Sequence, residues 1–379
     1  MPAPEVAFVL ASIRGGAEAA RAQAAARPAV GDWTAVAEFA LANDLGWWVA
    51  RALPADGVPD AVRERLRESV RGVAMSALSA ARQLGELHRA IEAAGVRVVA
   101  YKGPALAADV HGDLGARSLT DLDLLVAECD RARAVAAMRA IGYASPDGLT
   151  AREERLYSRW EGVAHLARDG DWPVELHWRC QAPRYGGPQD PADVVARARP
   201  LALAGGAVLV PSPEDLAVLL ALHGVKHAWT SLLWVVDFAA AAGRAGLDWP
   251  LVARRADAWG VRRALHYALL VAHRLCELDA PPELLARAGR DARAATLAAA
   301  VAAQLTGERG APDIGRESTP RYDLQWLDGA WARVRYLALA AALPTPQDRR
   351  GAPLPDALLA LAYPLRAWRL ARQALGGRR

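Results

Sequence analysis

The feature that most constrains the fold is a short run of alternating residues at positions 119–126. The run, Leu-Thr-Asp-Leu-Asp-Leu-Leu-Val, alternates polar and apolar residues for most of its length, as a half-buried β-strand does. Residues two apart on a strand point to the same face, so Asp121 and Asp123 are expected to share one face while the leucines anchor the other. The run therefore predicts a sheet in which one strand presents two carboxylates.

The segments around this run divide the chain into helical and β-rich parts. Apolar residues at helical spacing predict helices at 33–52, 59–94, 129–141, 214–229, 232–245, 261–278, 292–305 and 324–343. Short strands are predicted at 96–101, 163–168, 174–179 and 201–210, with a hairpin between the second and third. We therefore predict an α+β fold: an N-terminal helical segment (1–95), a small mixed-sheet core (96–211) and a C-terminal helical domain (212–379).

Composition excludes several classes of protein. Apolar residues make up 53% of the chain, which favours a globular protein over a disordered one. The longest apolar stretches, such as 337–343, are far shorter than the roughly 18 residues of a membrane span. The N-terminus lacks the basic start of a signal peptide, so a cytoplasmic location is expected. The three cysteines form no CxxC pair and predict neither a zinc site nor a disulfide framework.

Paired carboxylates on one strand face indicate a cation. Asp121 and Asp123 would repel each other unless a cation or a proton lay between them, and Mg²⁺ commonly binds one or two carboxylates together with substrate phosphates. A third carboxylate, Glu175, lies in Val-Glu-Leu-His-Trp (174–178), where His177 shares its strand face. Glu175 either completes the metal site or pairs with an arginine in the core. His165, on the facing strand of the hairpin, is a further candidate residue of the same site.

The two lysines are a second signal. Lys102 and Lys226 are the only lysines among 46 basic residues, in a chain otherwise rich in arginine. Lysine carries a compact point charge, whereas arginine carries a wide planar fork, so a lysine kept in this background indicates a position that needs the ammonium group. The alternative is that both are solvated surface charges.

These elements occur in a recognisable order over about residues 80–245. Lys102-Gly103 is followed by Arg117, Asp-Leu-Asp (121–123), Glu-Leu-His-Trp (175–178), and a His-rich helical segment leading to Asp237. This order resembles the polymerase-β-like nucleotidyltransferase superfamily, and most closely a bacterial family of uncharacterised nucleotidyltransferases. The toxin-like nucleotidyltransferases of bacterial defence systems share the Lys-Gly and Asp-x-Asp elements.

The resemblance implies an activity and a role for each matching residue. The implied reaction is Mg²⁺-dependent transfer of an NMP from an NTP to an acceptor hydroxyl, with release of pyrophosphate. Asp121, Asp123 and Glu175 would bind Mg²⁺ and act in catalysis, with Glu175 helping to activate the acceptor. The nucleotide would be bound by Lys102, Gly103, Arg117, His177 and Lys226. Asp237 would orient or neutralise Lys226.

The loop at Lys102-Gly103-Pro104 departs from the Gly-Ser or Gly-Gly usual in the superfamily. Gly103 would let the backbone approach the phosphates while Lys102 supplies charge, and the helix starting at Pro104 would direct its N-terminus at them. His223 and His227, four residues apart, are either a metal pair or, as we favour, packing or phosphate-contacting residues. Arg117 either binds phosphate or pairs with Asp121.

The sequence leaves open which acceptor the protein would use and whether it is an enzyme. A small molecule or a peptide is favoured as acceptor over tRNA, because a net charge of +4 is modest for an RNA-binding protein of 379 residues. The alternative function is a non-catalytic nucleotide- or partner-binding protein on the same scaffold. A kinase-type phosphotransferase ranks low, since the chain has neither a GxGxxG loop nor a P-loop lysine motif.

Overall fold

A computed structural model of the chain describes residues 3–14, 22–146, 148–186, 190–308, 311, 319–345, 348 and 354–376. The helices are α1 (Pro4–Ser12), α2 (Trp33–Ala42), α3 (Gly46–Ala52), α4 (Asp60–Ala93), α5 (Gly103–Leu106), α6 (Arg131–Ala140), α7 (Ala151–Glu161), α8 (Ala192–Ala196), α9 (Pro213–Lys226), α10 (Leu232–Ala242), α11 (Trp249–Ala258), α12 (Arg262–Cys276), α13 (Pro282–Arg290), α14 (Ala292–Leu305), α15 (Pro320–Trp326), α16 (Gly329–Ala342) and α17 (Ala362–Gly376). The strands are β1 (Val99–Ala100), β2 (Leu122–Leu125), β3 (Val163–Leu166), β4 (Val174–His177), β5 (Arg199–Leu203) and β6 (Gly206–Val210). The predicted α+β fold is confirmed.

The six strands form one mixed sheet in the order β3-β4-β2-β1-β6-β5. The pairs β2–β4 and β1–β6 are parallel, and the other three pairs are antiparallel. The strands β3 and β4 form the predicted hairpin. In the β2–β4 ladder Asp123 lies opposite Glu175, so the register alone brings these two carboxylates together.

Strand β2 is buried on both faces, and the prediction of a half-buried strand was wrong. Leu122 and Leu124 pack into a core that includes Leu84 of the long helix α4. On the opposite face, Leu125 joins a smaller cluster with Leu219 of α9. Because α9 covers the face that carries Asp123, this carboxylate lies in the interior and not at a solvated surface.

The helices that precede the sheet in sequence and those that follow it share one hydrophobic core. That core contains residues of α1 to α4, such as Phe8 and Leu66, together with residues of α9 to α16, such as Phe238 and Tyr336. The N-terminal and C-terminal helical segments therefore pack against each other. The division of the chain into three domains stays a prediction. No described helix is both long enough and apolar enough to cross a lipid bilayer.

Two predicted helices are interrupted. The segment at 33–52 forms α2 and α3, with Asp44 between them in a left-handed conformation (φ +58°). The segment at 324–343 forms the end of α15 and the whole of α16, because the chain is extended at Leu327 (ψ 135°). Local reversals of this kind depend on backbone angles that apolar periodicity does not report.

Candidate active site

A cavity of about 490 Å³ lies between the sheet and the helices α9 and α10. Carboxylates and histidines of β2, β3 and β4 line one wall. The other wall carries His223 and Lys226 of α9, His227 directly after that helix, and Trp234 of α10. Small-molecule sites are typically about 300–1,000 Å³, so the cavity has the size of a ligand site. Its lining combines acidic and basic groups, as a site for a metal-bound phosphate ester requires.

Asp123, Glu175 and His177 form a group of candidate metal ligands. One ligand atom from each lies within 4.8 Å of the others. The Nε2 atom of His177 is 3.3 Å from Asp123 Oδ1 and 3.2 Å from Glu175 Oε2. Strand register explains the group, since Asp123 is opposite Glu175 and His177 is two residues further along the same face.

The environment keeps both carboxylates ionised. Burial would raise the pKa of Asp123, but the nearby Lys102 ammonium and the hydrogen bond from His177 outweigh it and hold the pKa below its usual value. Burial likewise opposes ionisation of Glu175, yet hydrogen bonds from His165 and His177 hold its pKa well below the usual range. The Nδ1 atom of His165 lies 3.3 Å from Glu175 Oε1.

Asp121 lines the same cavity but lies one residue before β2 and outside the three-residue group. Burial and the negative charge of Asp123 raise the pKa of Asp121. A carboxylate that is destabilised in this way gains from a cation placed beside it. The two aspartates thus differ: Asp123 is already paired, whereas Asp121 experiences net repulsion.

Lys102 contacts the carboxylates directly. Its Nζ lies 2.6 Å from Asp123 Oδ1 and 3.5 Å from His223 Nδ1, and the residue is only 8% exposed. Gly103 is buried with φ +59° and is not among the residues that line the cavity. The structure therefore places Lys102 at the site, whereas Gly103 is the first residue of the four-residue helix α5.

Arg117 pairs with Asp237, not with Asp121. Arg117 Nε is 2.8 Å from Asp237 Oδ2, and His111 Nε2 is 2.8 Å from the other carboxylate oxygen. The predicted pairing of Asp237 with Lys226 was wrong, because Arg117 and His111 already occupy the two oxygens of the Asp237 carboxylate. Arg117 still lines the cavity, and Asp237 balances the charge of its guanidinium group.

Two further basic residues, Lys226 and Arg184, line the cavity near the carboxylates. Lys226 has no ion-pair or hydrogen-bond partner among the described residues, and burial and the charge of Lys102 lower its pKa. Arg184 stacks over Tyr185, with its guanidinium carbon 4.7 Å from the ring centroid. Sequence reasoning did not select Arg184, because nothing distinguishes it from the many other arginines of the chain.

Three aromatic rings adjoin this basic wall. His223 and His227 have ring centroids 4.7 Å apart, and Trp234 lies 5.1 Å from the first and 5.3 Å from the second. Neither histidine belongs to the group of candidate metal ligands, so the structure gives no support to a metal pair there. Trp234 was not selected from the sequence, where it is one of 13 tryptophans.

The helix that carries these groups ends in a tight reversal. Ala228 and Trp229 both adopt left-handed conformations, with φ of +52° and +50°. The fully buried Trp229 ring lies against Gly224, where an added Cβ would come within 2.3 Å of it. The backbone N–H of Trp229 donates to the Gly224 carbonyl at 2.8 Å. This reversal fixes the end of α9, and with it Lys226 and His227.

Comparison with known families agrees with the geometry. Residues 30–277 match the model of a family described as "Uncharacterised nucleotidyltransferase". The match covers more than half of the chain.

The chain belongs to this nucleotidyltransferase family. The resemblance seen in the sequence is thereby confirmed. No curated protein and no solved structure matches the chain. The matched region of the nucleotidyltransferase contains every residue of the cavity wall described above and ends beyond α12, so α13 to α17 lie outside it.

Proposed function

We propose that the protein is a Mg²⁺-dependent nucleotidyltransferase that moves an NMP from an NTP to an acceptor hydroxyl and releases pyrophosphate. The observation that carries the proposal is the placement of Asp123, Glu175 and His177 within 4.8 Å of one another, in a cavity whose other wall holds Lys226. Family membership supports the reaction class.

The donor set suits a hard divalent cation. Asp123 and Glu175 supply carboxylate oxygens, and Asp121 lines the same cavity with a carboxylate that a neighbouring cation would stabilise. Bound there, Mg²⁺ would neutralise charge on the phosphates during transfer. His177, which donates from one nitrogen toward both Asp123 and Glu175, holds the two carboxylates in place.

The cationic residues suit a triphosphate. Lys226 reaches the cavity without a carboxylate partner among the described residues, and Arg184 stands next to it with its ring contact to Tyr185. A half-buried cation without a counter-ion is unfavourable until an anion binds. The triphosphate would supply that anion, and the pyrophosphate leaving group would stay paired with the same two side chains.

The proton of the acceptor hydroxyl has a path away from the reacting centre. The acceptor oxygen bonds to the α-phosphorus while the bond from that phosphorus to the bridging oxygen breaks, and pyrophosphate leaves with the electron pair. Glu175 orients the acceptor hydroxyl by accepting its hydrogen bond. Because hydrogen bonds from His165 and His177 hold the pKa of Glu175 well below its usual range, Glu175 does not retain the hydroxyl proton, which passes to solvent in the cavity.

The acceptor is proposed to be a small molecule or a peptide. A protein of net charge +4 has little excess positive charge to hold a polynucleotide backbone, and a tRNA acceptor is therefore not favoured.

Pyrophosphate release tests the function. The purified protein would be incubated with Mg²⁺ and each of the four NTPs, together with a small-molecule extract, a peptide pool or total tRNA. We expect release with one pool and one NTP, falling about a thousandfold in Asp123→Asn, because loss of a metal-binding carboxylate removes several kcal/mol of transition-state stabilisation.

Asp257→Asn is the matched control, since Asp257 is partly exposed and lies outside the cavity. NTP binding without pyrophosphate release in any pool would indicate the non-catalytic nucleotide-binding alternative. Equal release by Asp123→Asn and the wild type would refute the carboxylate assignment.

A further inference from the structure

The ring group, defined as His223, His227 and Trp234, is a surface that the proposed chemistry does not use. All three residues line the cavity and are half-buried, so their rings reach its interior. The centroid separations of 4.7 to 5.3 Å, with ring planes inclined by 50° to 75°, make them one aromatic cluster that offers both ring faces and ring edges. A packed core would bury such rings completely, whereas these remain partly accessible beside the basic wall.

The helix geometry places this surface next to the phosphate-binding groups. His223, Lys226 and His227 are spaced three and four residues apart along α9, and residues at that spacing share a helix face. Trp234 adds its ring from the beginning of α10. A ligand whose phosphates contact Lys226 therefore has an aromatic surface within one helical turn of them.

The surface is uncharged near neutral pH. Burial, together with the charges of Lys226 and Lys102, lowers the pKa of His227 to about 4. Burial and the Lys102 charge also hold the pKa of His223 well below its ordinary value. Two neutral imidazoles and an indole offer stacking area and hydrogen-bonding edges but no charge, so they suit a flat heteroaromatic group better than another phosphate.

A hydrogen-bonding group lines the same cavity. Gln181 is 5% exposed, and its Nε2 donates to the Leu222 carbonyl at 3.4 Å. Its Oε1 is buried without a hydrogen-bond partner among the residues that the structure describes. Buried polar atoms rarely stay unpaired, and a donor on a ligand in the cavity would satisfy this oxygen once the Gln181 side chain turned toward it. Amino groups of nucleobases are donors of this kind.

We propose that the ring group is the nucleobase subsite, in which the base of the NTP stacks on Trp234 and His227. The proposal rests on the proposed function, because it takes the triphosphate to be bound by Lys226 and Arg184. Stacking on an aromatic side chain improves base binding by roughly fivefold to a hundredfold. Purines, which have the larger ring system, are expected to bind more tightly than pyrimidines.

Calorimetric titration with two ligands separates base binding from phosphate binding. Inorganic tripolyphosphate carries the phosphates without a base, and the comparison ligand is whichever of the four NTPs binds most tightly, each with Mg²⁺. We expect Trp234→Leu to weaken NTP binding roughly tenfold while tripolyphosphate binding stays within about twofold. Trp234→Phe, which retains a ring, should recover most of the loss.

Two further variants serve as controls for the effect of Trp234→Leu on ligand binding. Trp331→Leu makes the same change at a tryptophan that is 77% exposed and outside the cavity, and both ligands should bind it as they bind the wild type. Lys226→Met should weaken both ligands, since it removes a phosphate contact.

The outcomes distinguish the two proposals. If Trp234→Leu leaves NTP binding unchanged, or weakens NTP and tripolyphosphate equally, the nucleobase subsite is refuted while the proposed function stands. If the wild type binds NTP no more tightly than tripolyphosphate, the subsite is refuted as well. Binding of neither ligand by the wild type would overturn the proposed function and the subsite together.

Discussion

The ammonium of Lys102 lies 2.6 Å from Oδ1 of Asp123, and both residues are buried. The carboxylate that is proposed to bind metal thus already carries a cationic partner within the protein. Since the ammonium and a divalent ion are attracted to the same carboxylate, Lys102 is expected to limit the affinity of the nucleotide-free protein for metal.

Removal of this ammonium should make folding depend on metal. Lys102→Met leaves the buried Asp123 carboxylate without its cationic partner and with only the His177 hydrogen bond, and breaking a buried ion pair in this way typically costs about 3–5 kcal/mol of unfolding free energy. Mn²⁺ should restore most of the loss, because it can take the place of the ammonium. Urea unfolding in EDTA and in MnCl₂ measures both effects.

Lys226→Met is the matched control for that experiment. Lys226 has no carboxylate within ion-pair distance among the described residues, and burial already lowers its pKa. Its removal should leave stability unchanged or slightly improved in either buffer. Equal responses of the two lysine variants to Mn²⁺ would show that Lys102 does not compete with metal for Asp123.

Asp121→Asn should stabilise the metal-free protein near neutral pH. Burial and Asp123 raise the pKa of Asp121 in the folded state, so ionisation of this group opposes folding. The penalty is fully present above the folded pKa and disappears as the pH falls below the unfolded pKa of about 3.9. The stability gain of the variant, measured by urea unfolding in EDTA, should therefore shrink from pH 7 to pH 4.

The same substitution should abolish pyrophosphate release, so stability and turnover would change in opposite directions. Asp171→Asn, at a carboxylate outside the cavity that accepts hydrogen bonds from Arg168 and Tyr143, should instead lose stability. A destabilised Asp121→Asn protein at pH 7 would contradict the repulsion inferred between the two aspartates.

The Arg117–Asp237 pair is expected to act mainly on stability. Arg117→Met should lower the unfolding free energy by about 3–5 kcal/mol, because it leaves a buried carboxylate with His111 alone. Adding Asp237→Asn to that variant should cost much less than Asp237→Asn does in the wild type. A double-mutant cycle of urea unfolding measures this coupling.

Tripolyphosphate titration of the folded Arg117→Met protein separates structure from ligand contact. We expect affinity within about twofold of the wild type, since Asp237 already balances the guanidinium charge. A large loss of affinity with unchanged stability would restore the phosphate-binding role that the sequence resemblance implied for Arg117.

Much of the site could be predicted because strand periodicity encodes it. Glu175 and His177 stand two residues apart on a short apolar strand, and that spacing alone places them on one face. The lysine count led to Lys102 and Lys226, and both line the cavity.

The rest depends on contacts between distant parts of the chain. Asp237 pairs with Arg117 and His111, more than a hundred residues away in sequence, and nothing in the local pattern of α10 selects these partners over Lys226. The burial of β2 on both faces likewise requires α9 to cover it, which alternation of apolar residues cannot report. Arg184 and Trp234 were missed for the same reason.

The contact between Gly224 and Trp229 extends the functional constraint beyond the groups that touch a ligand. A methyl group at Gly224 would displace a ring that is fully enclosed, and the reversal after His227 would have to open with it. Lys226 and the two histidines would then shift as a unit relative to the carboxylates on the sheet. Evolutionary tolerance at position 224 should thus be as narrow as at the carboxylates themselves, because a residue with no side chain sets the spacing between α9 and the sheet.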